Sequence, residues 1–185
     1  MTMAPAVRKV TLVTHVGCSV GWLGAVVTSL VIAVVGLTSR DGQLVRAAYL
    51  TLEPVGWYAL IPLSLASLLT GLIQSLGTTW GLLRHYWVVA KLLMNLFATG
   101  VLLLYTQTLG YLATIARNAA APAQLDGLRD PSPVVHAGAA VALLLVALVL
   151  SIYKPRGLTA YGQRRQQHQR TATSVTSPAP ASSPA

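Results

Sequence analysis

The stretch VALLLVALVL, residues 141–150, decides the fold class, because ten consecutive apolar residues leave no polar position in the run. A strand of a lipid-facing β-barrel instead alternates apolar and polar residues over segments of about ten. Together with its neighbours the stretch forms an apolar segment from 134 to 153. That length reaches the roughly 20 residues that a helix needs to cross a hydrocarbon core about 30 Å thick. The stretch therefore predicts a transmembrane helix and argues against a barrel.

The composition of the whole chain extends this prediction to three further segments. Of the 185 residues 54% are apolar and only 9% are charged, and the mean hydropathy is +0.62, whereas about a quarter of the residues are charged in a soluble domain. We therefore expect an all-α polytopic membrane protein, an antiparallel bundle of four transmembrane helices. The predicted helices cover residues 10–37, 55–76, 87–110 and 134–153.

The predicted bundle occupies residues 10–153, between a short N-terminus (1–9) and a basic tail (154–185). Pro54 predicts a bend where the second helix enters the bilayer. The tail is rich in Ser, Thr, Pro and Ala, so we expect it to be disordered. It lacks the interleaved aromatic residues that would indicate nucleic-acid binding. The lipid bilayer is thus the expected partner, and nucleic acid is not.

The lysines and arginines are distributed unevenly between the two sides of the predicted bundle. Eight fall on the side of the termini and four on the other, while Lys91 lies inside the third helix. Because cytoplasmic loops carry the excess of Lys and Arg, we expect a plasma-membrane protein with both termini in the cytoplasm. The eight are Arg8, Lys9, Arg84, Lys154, Arg156, Arg164, Arg165 and Arg170; the four are Arg40, Arg46, Arg117 and Arg129.

The first helix has two different faces when it is projected at 100° per residue. One face carries the polar and aromatic side chains, and we expect it to point into the bundle, because an imidazole facing lipid would lack partners. The opposite face is a ridge of glycines, which permits close packing against a neighbouring helix or a second copy of the chain. The inner face contains His15, Cys18, Ser19, Trp22, Val26 and Ser29; the ridge contains Gly17, Gly21 and Gly24.

Two ionisable residues lie at the same predicted depth in the membrane. His15 is about five residues, or roughly 7–8 Å, inside the first helix, and Lys91 is equally far inside the third. Asn95 lies one turn beyond Lys91 on the same face, and Gln74 is near the cytoplasmic end of the second helix. Because an ionisable residue inside a membrane is a candidate functional site, these four residues form the predicted polar layer.

Two stretches carry a resemblance to known proteins: HVGCSVGWLGA at 15–25 and WGLLRHYWVVAKLLMNLFATGVLLLYTQ at 80–107. Over residues 8–160 the chain resembles a family of four-helix bacterial membrane proteins that is common in actinobacteria and has no known function. More distantly it is similar to the group of CopD-type copper-resistance proteins and HemJ-type haem-binding protoporphyrinogen oxidases. The matching positions are His15 with Trp22, and Trp87 with Lys91. The resemblance implies that His15 and Lys91 serve haem binding.

These observations leave three hypotheses about function open. The first is a redox protein that binds haem or a porphyrin, with His15 as axial ligand to the metal and Lys91 as second ligand or propionate partner. In it Trp22 and Trp87 lie near the cofactor, and Asn95 and Gln74 complete the layer. The second is a scaffold or partner subunit that uses the glycine ridge for a homo-oligomer or a membrane protein partner.

The third hypothesis is a copper-handling protein or a small-solute transporter. Soft metals favour thiolate and thioether ligands, and the chain offers Cys18 and Met94 beside His15. The sequence contains no nucleotide-binding loop, nucleophile–base set or carboxylate pair that would indicate a hydrolase or a pump. Whether the protein is an enzyme therefore stays open at this stage.

Overall fold

The computed structural model describes residues 3–77, 81–119, 127–155, 157–164 and 166–167. Within these ranges four helical stretches are long and apolar enough to cross a membrane, so the chain is an all-α, multi-pass membrane protein as predicted. One stretch, residues 42–76, is two α-helices joined by a π-helical turn, Gly56–Leu60. The α-helices are α1 (Pro5–Thr38), α2 (Gly42–Val55), α3 (Ile61–Leu76), α4 (Tyr86–Asn118) and α5 (Ser132–Tyr153).

The helices extend beyond the spans that hydropathy predicts. α1 begins at Pro5, five residues before the predicted start, and α4 continues to Asn118, eight residues past the predicted end. Hydropathy marks where the hydrocarbon core ends, but the hydrogen bonds of a helix continue into the polar region. In α4 the extension is also packed, since Leu112, Ala113 and Ala116 are fully buried.

The π-helical turn lies between two prolines, Pro54 and Pro62. Proline has no N–H and its ring crowds the carbonyl four residues earlier, so an unbroken α-helix through both positions would be strained. The π-helical turn, which contains one additional residue, interrupts the regular α-helical winding between them. Gly56 within the turn lets α4 approach closely, because an added Cβ would lie 3.1 Å from Leu109 Cδ1. A bend is predicted at Pro54; the structure keeps Pro54 inside α2 and changes the helical winding two residues later, at Gly56.

Three parts of the chain that are predicted to be cytoplasmic meet at one end of the bundle: the N-terminus, the α3–α4 connection and the segment after α5. The amide of Met3 donates to the carbonyl of Gly77 (3.1 Å), and the amide of Thr159 donates to the carbonyl of Arg84 (3.0 Å). Residues 157–164 belong to the tail predicted as disordered, yet here they pack on the α3–α4 connection. Residues 78–80, 120–126 and 168–185 include parts of the predicted loops and tail, and these parts lie outside the described residues.

Candidate functional site

The inner face of α1 points into the bundle as the helical projection predicts. Trp22, Val26 and Ser29 are buried, and His15, Cys18 and Ser19 are half-buried. Gly17, Gly21 and Gly24 are all exposed on the opposite face. An added Cβ at Gly17 or Gly24 would meet nothing within 4 Å, and at Gly21 it would meet only the Leu63 side chain, at 3.5 Å. The ridge therefore faces outward.

His15 is held by α3 through a hydrogen bond between its Nδ1 and Thr70 Oγ1 (3.0 Å). The Thr70 hydroxyl has a single proton to donate. Its Oγ1 lies 2.6 Å from the carbonyl oxygen of Ala66, which can only accept. Thr70 therefore donates to Ala66 and accepts from His15 Nδ1–H. In the neutral imidazole this assignment leaves the lone pair on Nε2.

Gly71 makes room for the His15 ring against the backbone of α3. A Cβ at this position would lie 3.0 Å from His15 Cε1, closer than side chains normally approach. Glycine therefore allows the contact between α1 and α3 at the level of the imidazole. Small residues permit this kind of close approach between membrane helices, and the side chain that packs on Gly71 is His15.

A chain of hydroxyl and amide groups links α1, α3 and α4 one turn further into the bundle. Ser19 Oγ lies 2.9 Å from Ser67 Oγ, and Asn95 Nδ2 donates to the same Ser67 oxygen at 3.3 Å. Thr99 then donates to Asn95 Oδ1 at 3.4 Å. Ser67, the residue that joins the three helices, is only 2% exposed, so it is inaccessible to solvent. The predicted site residue Asn95 is thus engaged in holding three helices together.

The Lys91 side chain packs along its own helix, α4. Its Nζ lies 5.7 Å from the centroid of the Trp87 ring, one turn earlier in α4, in a cation–π contact. Gln74 lies one turn after Thr70 on α3 and is half-buried. The predicted layer is therefore divided into a His15–Thr70 pair, a Lys91–Trp87 pair and the network that contains Asn95.

Trp22 belongs to a different site, a cavity of about 250 Å³ between α1, α2, the π-helical turn, α4 and α5. Its indole Nε1 is fully buried and makes no hydrogen bond with the part of the chain that the structure describes. Sequence reasoning placed Trp22 with His15, but the cavity lining does not include His15. The lining consists of Trp22, Val26, Ser29, Leu52, Leu60, Phe97, Ala98, Val101, Leu102, Tyr105, Leu109, Pro133, His136, Ala137, Ala139, Ala140 and Leu143.

A stacked pair of rings borders this cavity near the start of α5. The Tyr105 and His136 rings lie 4.0 Å apart with an interplanar angle of 19°. His136 Nδ1 donates to the carbonyl of Ser132 (2.9 Å), while Tyr105 Oη and Ser132 Oγ share a hydrogen bond of 3.0 Å. Sequence reasoning did not combine these residues with Trp22, because 114 positions separate Trp22 and His136 and the cavity arises only from tertiary packing.

Neither metal clusters nor known relatives identify the site. In the described ranges, no three His, Cys, Asp or Glu residues are grouped so that they could hold a metal ion. Comparisons with protein-family models, with curated proteins and with solved structures give no match to the chain.

Proposed function

We propose that the protein lies in the plasma membrane with both termini in the cytoplasm. The N-terminus, the α3–α4 connection and the segment after α5 share one end of the bundle. Most of the lysines and arginines outside the helices flank that end, which is the pattern of a cytoplasmic face.

The orientation is tested by reporter fusions in a bacterial host. An alkaline phosphatase that works only outside the cytoplasm is expected to be active when it is fused after Asn118 and inactive when it is fused after Gln167. The reverse pattern of activity would contradict the proposed orientation.

We propose further that the bundle binds haem or a porphyrin with His15 as axial ligand to the metal. The observation that carries this proposal is the Nδ1–H bond to Thr70, which directs the lone pair to Nε2. Metal-ligating histidines characteristically donate their other ring N–H in this way. The donor set also fits the cofactor, because Lys91 supplies an amine or a partner for a propionate.

The residues of the chain have separate roles in this proposal. Thr70 orients the imidazole and fixes its tautomer, and Gly71 lets the ring lie against α3. Lys91, which rests on Trp87 in α4, would supply the second ligand or the partner for a propionate. Bound haem would supply one-electron redox chemistry.

The visible spectrum of the protein, purified in mild detergent from haem-replete cells, tests cofactor binding. We expect a Soret band in the wild type, its loss in His15→Ala, and an affinity for haem about 10- to 100-fold lower in Thr70→Val, which removes the acceptor for Nδ1–H. His136→Ala is the matched control, since His136 also uses Nδ1 locally but lies elsewhere. A colourless wild type, even after reconstitution, would rule the proposal out.

A specific observation also favours the second candidate function, a scaffold or partner subunit. The outward ridge of Gly17, Gly21 and Gly24 leaves the α1 backbone open to a helix from another molecule. This function requires no cofactor. Variants on the two opposite faces of α1 therefore distinguish it from haem binding.

A further inference from the structure

The segment that follows α5 is tied to the residues just before α4. Leu158 forms an isolated antiparallel β-bridge with His85, and the amide of Thr159 donates to the carbonyl of Arg84 at 3.0 Å. On this side the hydrocarbon core is predicted to begin at residue 87, so Arg84 and His85 lie just outside it. These contacts therefore hold residues 157–164 at the level of the lipid headgroups.

A close backbone contact fixes the position of this segment. Residues 160–164 are helical, and Thr159 caps them, because its Oγ1 accepts from the amide of Gly162 at 3.1 Å. Gly162 is buried, and an added Cβ would lie 2.5 Å from the carbonyl oxygen of Arg84. A larger residue at this position would push the helical residues away from the α3–α4 connection. Thr159 and Gly162 thus encode the docked position.

The end of the bundle where the segment docks is basic. Residues 1–9, 77–86 and 154–185 include eight of the 13 lysines and arginines, and their sequence contains no Asp or Glu. Within the segment, Lys154 and Arg164 are both exposed. Since all four acidic residues of the chain lie elsewhere, a molecule of negative charge complements this surface.

Exposed tyrosines indicate that the negatively charged partner is a lipid. Tyr86, Tyr153 and Tyr161 are exposed at this end, and tyrosine is enriched where a membrane meets water. Tyr161 and Arg164 are three residues apart in the helical residues, so they share one face. That face presents an amphipathic ring and a cation together at the level of the headgroups. A phospholipid meets both groups there, whereas a nucleic acid has no use for a surface within the membrane interface.

We propose that residues 154–164 form a docking surface for anionic phospholipids, with Lys154 and Arg164 binding the negatively charged headgroup. Basic residues at the membrane surface attract anionic lipids of the adjacent leaflet. Because the segment is already ordered by its bonds to the α3–α4 connection, lipid binding does not include the cost of ordering it. The surface is separate from His15, so it requires no haem, and it meets lipid in either orientation of the protein.

Labelled lipids in nanodiscs test the proposal. The full-length protein is placed in phosphatidylcholine nanodiscs, and energy transfer from its tryptophans to pyrene-labelled phosphatidylglycerol is compared with transfer to pyrene-labelled phosphatidylcholine. We expect the wild type to prefer phosphatidylglycerol and Arg164→Gln to lower its relative affinity about 5-fold, the factor that corresponds to about 1 kcal/mol for one cation at the surface. Arg40→Gln is the matched control, because Arg40 is also exposed but lies at the opposite end of the bundle.

A second variant distinguishes a docked surface from a free tail of the same charge. Thr159→Val combined with Gly162→Val removes the cap and the space for the helical residues but keeps every cation. We expect this double variant to lose the preference for phosphatidylglycerol and to be cleaved faster by trypsin after Arg164. Circular dichroism identifies any variant that has lost its membrane helices.

Four results would overturn the proposal. The first is a wild type that does not prefer phosphatidylglycerol, and the second is an equal effect of Arg164→Gln and Arg40→Gln. The third is a double variant that trypsin cleaves faster but that keeps the preference, which would assign the binding to the charge of a free tail. The fourth is a double variant as resistant to trypsin as the wild type, which would show that Thr159 and Gly162 do not fix the segment.

Discussion

Replacing Ser67 with leucine is expected to lower the free energy of unfolding by about 2–4 kcal/mol. Ser67 is the node that joins Ser19 of α1 and Asn95 of α4. Each lost interhelical hydrogen bond costs about 0.6 kcal/mol on average within a membrane bundle. The larger side chain must also fit where almost no surface is accessible, and such overpacking costs about 1–3 kcal/mol.

The measurement is the unfolding of the purified protein by increasing mole fractions of sodium dodecyl sulfate, followed by far-ultraviolet circular dichroism. Ser67→Ala separates the two contributions, because it removes the hydrogen bonds without adding volume, and it should cost about 1 kcal/mol. Thr28→Leu is the control, since the Thr28 hydroxyl is exposed and bonds only to its own helix. Equal stability of Ser67→Leu and Thr28→Leu would show that the network does not hold the helices together.

Replacing Gly36 with leucine is expected to destabilise the protein by about 1–3 kcal/mol through a steric conflict between α1 and α2. A Cβ at Gly36 would lie 3.1 Å from Tyr49 Cε2 and 3.3 Å from Ala48 Cβ. Tyr49 is fully buried, so its ring cannot simply move aside. The two helices must separate at this point. The same detergent titration measures the loss.

Gly24→Leu is the matched control on the same helix, and it also tests the scaffold function. Nothing lies within 4 Å of a Cβ at Gly24, so within one chain the change should alter the free energy of unfolding by no more than about 0.5 kcal/mol. If the glycine ridge packs against another molecule, this variant should lose that association in light scattering while it keeps any haem spectrum. An unchanged oligomeric state would argue against the ridge as an interface between copies.

The sequence predicts the fold class and the two faces of α1 because both depend on local properties. Continuous apolar runs define the membrane-crossing helices, and the 100° step between residues places His15 and Trp22 inward and Gly24 outward. Both properties depend only on the residues of one segment and not on the rest of the chain. The structure accordingly agrees with the sequence at this level.

The partners of the polar residues were less accessible to sequence reasoning. Equal depth suggested that His15 and Lys91 share one layer, but depth does not specify the rotation of each helix about its axis. Thr70 reaches His15 from α3, whereas the long side chain of Lys91 finds Trp87 one turn away on its own helix. The Trp22 cavity requires five elements at once, and no local pattern encodes it.

The π-helical turn, Gly56–Leu60, explains why α3 could not be oriented from its sequence. One extra residue in a helix shifts the angular phase of everything that follows by about 100°. An uninterrupted α-helix would therefore carry Ser67 and Thr70 away from α1, and Ser19 and His15 would face apolar side chains in their place. The turn acts as a phase adjuster that brings the polar rows of two helices into alignment. Rewinding it into a regular α-helical turn would rotate Ser67 and Thr70 away from α1, whereas deleting one residue within it at the same time would preserve their orientation.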